Sequence, residues 1–316
     1  MRAYIVKRFL LAVPTFIGAT MLVFLLLRVV PGDVALNILG EDATTHPEKL
    51  AEIRRALGLK DPLYKQYGLW LWRVFHLDLG KSFMSGFPVV ELFKHRLPLT
   101  LNLTLYAMLI TILLAIPLGV LSAIRQDTWV DYVARVFAVL GLSIPNFWLG
   151  LMILTVLVLG FNWFPPLGYQ PFWRNPVGNL QQLLWPAVAV GTAQVAIIAR
   201  MTRSAMLEVL REDYVRTARS KGLRERVVLL RHVLRNASLP IVTLLGVEFT
   251  TLMSGVVVTE TVFSLPGMGR TVIDGLLTKD YPIIEATTLF IICLVVLVNL
   301  LVDLCYAWLD PRISYG

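Results

Sequence analysis

Charged residues are scarce in this sequence, at 16% of its 316 residues, whereas soluble domains contain about 25%. Hydrophobic residues make up 57% and the mean hydropathy is +0.70, against roughly 45–50% apolar residues in soluble domains. A protein that water surrounds on all sides is therefore excluded. The sequence also contains no repeat of fixed period and no low-complexity tract.

Cysteine and histidine are scarce as well. The only two cysteines, Cys293 and Cys305, lie in one apolar stretch, and in a helix they would be about 18 Å apart. That separation excludes an intrachain disulfide. The four histidines are scattered, and no Cys/His cluster has the spacing of a zinc site. We therefore predict no disulfide and no metal site.

Long apolar runs take the place of the missing charge. A helix needs about 20 mostly apolar residues to cross a hydrocarbon core roughly 30 Å thick. The run at 136–173 is too long for one helix, and Pro165 and Pro166 interrupt it beside aromatic residues, so we expect its helix to end near Gly160. Together the runs predict an all-α integral membrane protein with roughly six transmembrane helices. They cover residues 9–27, 97–124, 136–173, 175–199, 236–259 with one interruption at Glu248, and 286–302.

Basic residues predict the orientation of these helices. They concentrate in the N-terminal tail, in the connection at 125–135 and in the segment at 200–235, and the positive-inside rule then places both termini in the cytoplasm. The net charge of +8 is thereby explained by cytoplasmic loops and anionic lipid, and nucleic-acid binding is not expected.

The resulting domain organisation has three parts. Residues 1–30 form the cytoplasmic N-terminus and the first transmembrane helix, residues 31–96 an external, periplasmic-side cap, and residues 97–316 a core with five transmembrane helices. Within the cap we predict a helix at 47–57. Aromatic residues at 64–75 pack at the membrane interface or contact substrate.

The segment at 204–235 is patterned as two short helices. Asp213 is a candidate cap for a helix over 214–220, and Gly222 suits a left-handed residue past its end. The second piece, 224–235, lies against the membrane or continues toward the next span, and Pro240 is expected in the first turn of a new helix. Such a presented helix either seats in a groove of a partner protein or contacts lipid only.

A few polar groups fall inside or beside the apolar runs. Glu248 is mid-span and is a candidate for a polar translocation path. Glu260, Glu285 and Asp303 are nearer the span ends, where pairing within the protein or snorkelling to water explains them. Ser143 and Asn146 flank Pro145 at an expected helix break, and they join Glu248 as candidates for the substrate path, although helix packing alone also explains the break.

Residues 213–223 (DYVRTARSKGL) and 232–240 (HVLRNASLP) resemble the cytoplasmic coupling loop of ABC importer permeases, specifically the dipeptide/oligopeptide/nickel branch. We call residues 204–235 the coupling segment. The broad permease consensus has Glu-Ala-Ala where this chain has Arg216, Thr217 and Ala218, a form typical of the peptide branch. The resemblance extends over the whole chain at residues 31–33 (PGD), 57–59 (LGL), 78–82 (DLGKS), 200–204 (RMTRS), 259–263 (TETVF), 266–270 (PGMGR), 280–282 (DYP), 299–303 (NLLVD) and 310–312 (DPR).

The resemblance implies a type I importer with two homologous permease subunits forming a heterodimer, two cytoplasmic ABC ATPases and an extracytoplasmic substrate-binding protein, in the bacterial inner membrane. The expected cargo is di- or oligopeptides, with nickel, glutathione, opines or oligosaccharides as alternatives. No catalytic residue and no cofactor of its own are expected, because the chain lacks a phosphate-binding Gly-x-x-x-x-Gly-Lys-Ser/Thr motif, and ATP and Mg²⁺ belong to the ATPases. The residues expected in the ATPase-coupling loop are Glu208, Asp213, Tyr214, Arg216, Thr217, Ala218, Lys221, Gly222 and Leu223.

Three rival classes are less well supported by the sequence. A secondary transporter would show corresponding broken helices in two halves and several mid-span acids or bases. A membrane enzyme would need a nucleophile–base pair or metal ligands at membrane depth. A stand-alone channel leaves the helices of the coupling segment without a role.

Overall fold

The computed structural model describes residues 13–25, 48, 61–166 and 168–309. Apart from one bridge between Lys81 and Pro88, this part of the chain consists of helices and their connections, which confirms the all-α prediction. The predicted cap helix at 47–57, of which only Glu48 is described, the motifs at 31–33, 57–59 and 310–312, and the side chain of Asp303 lie outside the described residues. The helices are α1 (Val13–Leu25), α2 (Leu63–Phe75), α3 (Val89–Ile124), α4 (Trp129–Ser143), α5 (Asn146–Phe161), α6 (Pro176–Leu210), α7 (Asp213–Ser220), α8 (Arg235–Val262), α9 (Met268–Thr278) and α10 (Tyr281–Leu309).

Four helical stretches in the described residues are long and apolar enough to cross a membrane. They are α3, α6, the continuous helix Glu225–Met253 and the Tyr281–Val302 part of α10. Helices α4 and α5 meet the same test only together, and they make a fifth span if the bent pair counts as one span. The described part of α1 is shorter than a span. The apolar runs thus correctly located these helices, and the count of six stays a prediction.

The expected break between α4 and α5 is confirmed. The two helices are bent by 98° at Ile144, whose extended backbone reflects the exclusion of helical conformation before Pro145. Helix α5 then ends at Phe161, one residue beyond the expected Gly160, with Asn162 in a left-handed conformation.

Helices α3 and α6 run parallel and form the centre of the bundle. Leu103 and Leu183, in the first halves of the two helices, belong to one buried cluster, while Gly119 and Thr202 meet near their ends. A Cβ atom at Gly119 would collide with the Thr202 side chain and the Ala199 carbonyl. The two backbones approach this closely because the contact residues are small, as is common between transmembrane helices.

Because α3 and α6 are parallel, both end on the same side of the bundle, next to the coupling segment. The bent pair α4–α5 leads the chain from the end of α3 back to the start of α6. Ile241 near the start of α8 packs with Ala115 and Ile198, and Leu252 packs with Leu103 farther along, so α8 runs antiparallel to both. The bundle therefore has two ends, one carrying the coupling segment and one carrying α9 and the 77–88 connection.

Candidate functional site

Helix α7 of the coupling segment has one apolar side and one charged side. Val215 and Ala218, three residues apart and so on one face, are buried at 0% and 7% exposure. The side chains of Asp213 and Arg216 are 95% and 74% exposed and pair with each other only loosely, at 3.4 Å. Helix α7 is thus anchored by its buried apolar face and exposes a charged face to solvent.

The buried side of α7 belongs to a hydrophobic cluster with members from several helices. We call it the coupling cluster, and its fully or nearly buried members are Ala123, Ala205, Met206, Val215, Ala218, Val228, Val233 and Ala237. These residues come from α3, α6, α7, the segment after α7 and the start of α8. A displacement of α7 would therefore press directly on three long helices, since close-packed interiors transmit strain.

The structure confirms the predicted C-terminal end of α7 but not its predicted N-terminal cap. Gly222 has φ +75°, and the N–H groups of Gly222 and Leu223 donate to the carbonyls of Arg219 and Ala218, which confirms the predicted left-handed end. The prediction that Asp213 caps the helix is wrong. Asp213 is the first helical residue, the preceding Glu212 makes no side-chain capping bond, and the Asp213 side chain is exposed to solvent.

Two polar contacts connect α7 to the chain that follows it. Arg219 binds Glu225 at 2.8 Å, a hydrogen bond that raises the pKa of the Arg219 guanidinium. The Asn236 amide donates to the Tyr214 hydroxyl at 3.0 Å. Both contacts are exposed and contribute little stability individually, but they orient α7 against the start of α8.

The second piece of the coupling segment continues into the next span. A short helix at Glu225–Val227 passes into a π-helical stretch at Val228–Leu234 and then into α8 without interruption. The expected helix start at Pro240 is therefore wrong, since Pro240 lies inside α8. Pro240 cannot donate a backbone hydrogen bond, and the π-helical stretch ends six residues before it, at Leu234. Such stretches frequently occur at functional positions.

A buried ion pair lies directly beside the coupling cluster. Asp131, fully buried at the start of α4, accepts two hydrogen bonds of 2.8 Å from Arg203 on α6. It also accepts from Ser122 at the end of α3 at 2.5 Å and from the Asp127 backbone N–H at 3.1 Å, and Arg135 approaches it at 3.3 Å. This one carboxylate joins α3, α4 and α6. The sequence did not predict this ion pair, although Arg203 belongs to the motif at 200–204 that resembles the permease family.

The other predicted coupling residues surround α7. Glu208 lies in the last turns of α6, Lys221 and Leu223 follow α7, and all three are exposed. Thr217, also exposed, donates to the Asp213 carbonyl at 3.0 Å and does not reach outside its own helix. The structure thus gathers the predicted coupling residues in one region, of which Ala218 alone is buried in the core.

The three candidates for a substrate path are not joined by any hydrogen bond among the described residues. Glu248, 6% exposed, lies in the middle of α8 with its carboxylate near the Gln194 amide on α6. Ser143 donates to the Val139 carbonyl of its own helix, and Asn146 is half-buried at the start of α5. A role for them in a substrate path stays a prediction.

At the opposite end of the bundle, the motifs at 259–263 and 266–270 contact each other. Glu260, fully buried, accepts from the Thr100 hydroxyl at 2.5 Å and from the Arg270 N–H at 3.1 Å. A Cβ atom at Gly267 would collide with the Glu260 carboxylate. The motif at 266–270 thus has glycine at 267 because its backbone wraps this carboxylate, and pairing of Glu260 within the protein is confirmed.

A second buried carboxylate connects the start of α10 to the 77–88 connection. Asp280, at 1% exposure, accepts from the Ser82 hydroxyl at 2.5 Å and from the Phe83 N–H at 3.1 Å. The motifs at 78–82 and 280–282 are therefore one tertiary contact. Within the described residues, no group of three or more His, Cys, Asp or Glu side chains has an arrangement that could hold a metal ion.

Two family models together match almost the whole chain. The family of binding-protein-dependent transport system inner membrane components matches residues 115–315, and its N-terminal membrane component matches residues 1–104. The dipeptide transport system permease protein DppB of Escherichia coli (strain K12) is 39% identical over 338 residues, covering 100% of this chain and 99% of that protein. DppB of Alkalihalophilus pseudofirmus is 38% identical over 336 residues, covering all of both chains.

A solved structure shares the fold. The crystal structure of an amino acid ABC transporter with histidines superposes with a TM-score of 0.52 at 18% identity, covering 76% of this chain and 98% of that one. At this identity the likeness concerns the helical arrangement alone.

Proposed function

This chain belongs to the family of binding-protein-dependent transport system inner membrane components, and on that premise we propose that it forms half of a translocation pathway for di- or oligopeptides. It is a membrane-spanning permease subunit of an ABC importer. The observation that carries the mechanism is α7, whose buried Val215 and Ala218 fix a short helix that presents charged residues outward.

The charged face of α7 is the surface that a cytoplasmic ATPase would grip. A short helix in a groove is a common way for one protein to hold another. Asp213 and Arg216 are almost fully available, because their mutual ion pair is long and solvent-exposed. Gly222, in a left-handed conformation, directly follows the helix and ends it.

Movement of α7 would pass to the spans through the coupling cluster and the Asp131–Arg203 pair. The cluster touches α3, α6 and α8, while Asp131 connects the end of α3 and the start of α4 to α6. ATP binding that moves α7 would thereby bias the bundle between inward-open and outward-open arrangements.

The peptide cargo rests on the relatives. Two of them, each aligned over the whole of this chain, are named as dipeptide transport system permeases. Nickel, glutathione, opines and oligosaccharides are the alternatives, because related permeases share the motifs of the coupling segment and differ in cargo.

A second homologous permease subunit would complete the path, two ABC ATPases would supply ATP and Mg²⁺, and a binding protein would deliver the peptide. This chain would have no ATPase site and no cofactor. Both termini and the coupling segment would face the cytoplasm, in keeping with the arginines of that segment.

The test is isolation of the intact assembly from its native membrane, mass spectrometry of its components, and peptide uptake in proteoliposomes. We expect two ABC ATPases, a second permease and a binding protein, and ATP-dependent uptake of a labelled dipeptide. A binding protein that carries only a non-peptide solute would contradict the proposal that peptides are the cargo. An assembly without an ATPase would overturn the mechanism.

A further inference from the structure

An open apolar groove runs between α3, α4 and α6 at the end of the bundle that carries the coupling segment. Its volume is about 410 Å³. Leu114, Leu118 and Leu121 line it on α3, small residues such as Ala196 line it on α6, and Trp129 lies at its mouth. Trp129 is 73% exposed, so the described residues leave the groove open to the surrounding membrane.

The length of the groove matches the thickness of the hydrocarbon region of one leaflet. Its α4 wall extends over residues 129–138, which is about 14 Å of helix, while half of a hydrocarbon core is roughly 15 Å thick. Trp129 at the mouth has the position of an interfacial tryptophan, at the level of the lipid headgroups.

The same mouth carries positive charge. Arg125 follows Leu121 by four residues and Arg200 follows Ala196 by four residues, so each continues the face of the helix that lines the groove. Neither arginine takes part in an ion pair among the described residues.

The charges around the mouth do not cancel. Two further arginines, Arg135 and Arg203, share the carboxylate of Asp131. The other acid of the connection, Asp127, is exposed and makes no ion pair among the described residues. Four arginines face two aspartates here, which leaves an excess of two positive charges.

We propose that this groove binds an anionic phospholipid of the cytoplasmic leaflet, with an acyl chain between α3, α4 and α6 and the phosphate at Arg125 and Arg200. The groove supplies the apolar surface that a chain needs, and the two arginines supply the charge that distinguishes an anionic lipid from a zwitterionic one. A bound lipid would lie against α4 and α6, the helices that Asp131 and Arg203 connect beside the coupling cluster. The site does not depend on the identity of the cargo.

Quenching of Trp129 fluorescence by brominated lipids tests the proposal. The purified importer assembly is placed in nanodiscs of phosphatidylcholine that contain increasing fractions of dibrominated phosphatidylglycerol or dibrominated phosphatidylcholine. The difference between the wild-type assembly and Trp129→Phe isolates the signal of this one tryptophan from the other seven of this chain and from those of the partner subunits.

We expect half-quenching of Trp129 at an at least fivefold lower fraction of the anionic lipid, because one arginine near the surface contributes about 1 kcal/mol, or roughly fivefold in binding. Arg125→Gln with Arg200→Gln should remove the preference, and the matched pair Arg73→Gln with Arg174→Gln should retain it. Arg125→Lys with Arg200→Lys should also retain it, which controls for misfolding. Ala134→Phe, which fills the groove, should weaken quenching by both lipids.

Two results would overturn the proposal. Equal quenching by both brominated lipids in the wild-type assembly would mean that the groove is merely solvated by acyl chains. A Trp129 signal that neither lipid quenches would mean that a partner protein covers the groove.

Discussion

Arg203 on α6 holds Asp131 on α4 through two parallel hydrogen bonds of 2.8 Å, and the Asp131 carboxylate has no exposed surface. A bidentate guanidinium–carboxylate pair fixes both distance and orientation between its two helices. Ser122 adds the end of α3 to the same carboxylate. The end of α3, the start of α4 and α6 are thus fixed together next to the coupling cluster.

Removal of Arg203 should destabilise the permease. Arg203→Ala leaves a buried carboxylate whose one nearby cation is the more distant Arg135, with Ser122 and the Asp127 N–H as neutral donors, and breaking a buried ion pair costs up to about 3–5 kcal/mol. A lower midpoint of thermal unfolding in detergent is the measurement. The double variant Asp131→Asn with Arg203→Gln should be less destabilised than Arg203→Ala, because it buries no unpaired charge. Equal losses in both variants would contradict a role for the ion pair itself.

Gly222 should be required for its backbone conformation. At φ +75° an ordinary residue is strained by about 1–2 kcal/mol, and nothing lies within 4 Å of a Cβ atom there. Gly222→Val should therefore reduce peptide uptake per ATP hydrolysed while membrane insertion is unchanged. Gly222→Asn, which tolerates a left-handed backbone, should retain most coupling. If Gly222→Asn is as defective as Gly222→Val, the position is restricted by a partner surface and not by the backbone.

Gly267 should tolerate no side chain. In Gly267→Ala the new Cβ atom would collide with the buried Glu260 carboxylate, so the wrap of residues 266–270 around Glu260 has to open. Cross-linking or proteolysis of α9 should reveal the opening, together with a lower unfolding temperature. Gly160→Ala, where no atom lies within 4 Å of the added Cβ, is the matched control and should behave as wild type. An unaffected Gly267→Ala would contradict this packing.

Asp280 should hold the 77–88 connection in place. Its carboxylate accepts from the Ser82 hydroxyl and from the Phe83 and Met84 N–H groups, so Asp280→Ala removes the partner of three donors, and leaving a buried donor unsatisfied costs about 1–3 kcal/mol. We expect faster proteolysis of the connection and a lower unfolding temperature. Ser82→Ala should have a smaller effect, because the backbone bond of Phe83 to Asp280 is kept. The reverse order of the two variants would refute the assignment.

The positions of the spans followed from the sequence because they depend on run length and on local chemistry. Leu97–Ile124, as an example, carries no charge, and an uncharged run of that length is stable only as a helix in lipid. Pro145 predicted the break before α5, and Gly222 predicted the left-handed end of α7, because each acts through its own backbone. The local signal of Pro240 was misleading. It suggested a helix start, but the helix that begins at Glu225 continues through Pro240, and the packing of Val228 and Val233 in the coupling cluster stabilises the turns before it.

The pairings across the bundle were decided only by the tertiary structure. Asp131 and Arg203 are 72 residues apart, and Ser82 and Asp280 are 198 apart. Nothing local in the sequence specifies such partners, since a buried carboxylate can be satisfied by any donor that the fold brings to it. The sequence by itself determined that this protein lives in a membrane and where it exposes a charged segment. The tertiary structure decided which helices that segment moves, because only close packing makes residues distant in the chain into neighbours.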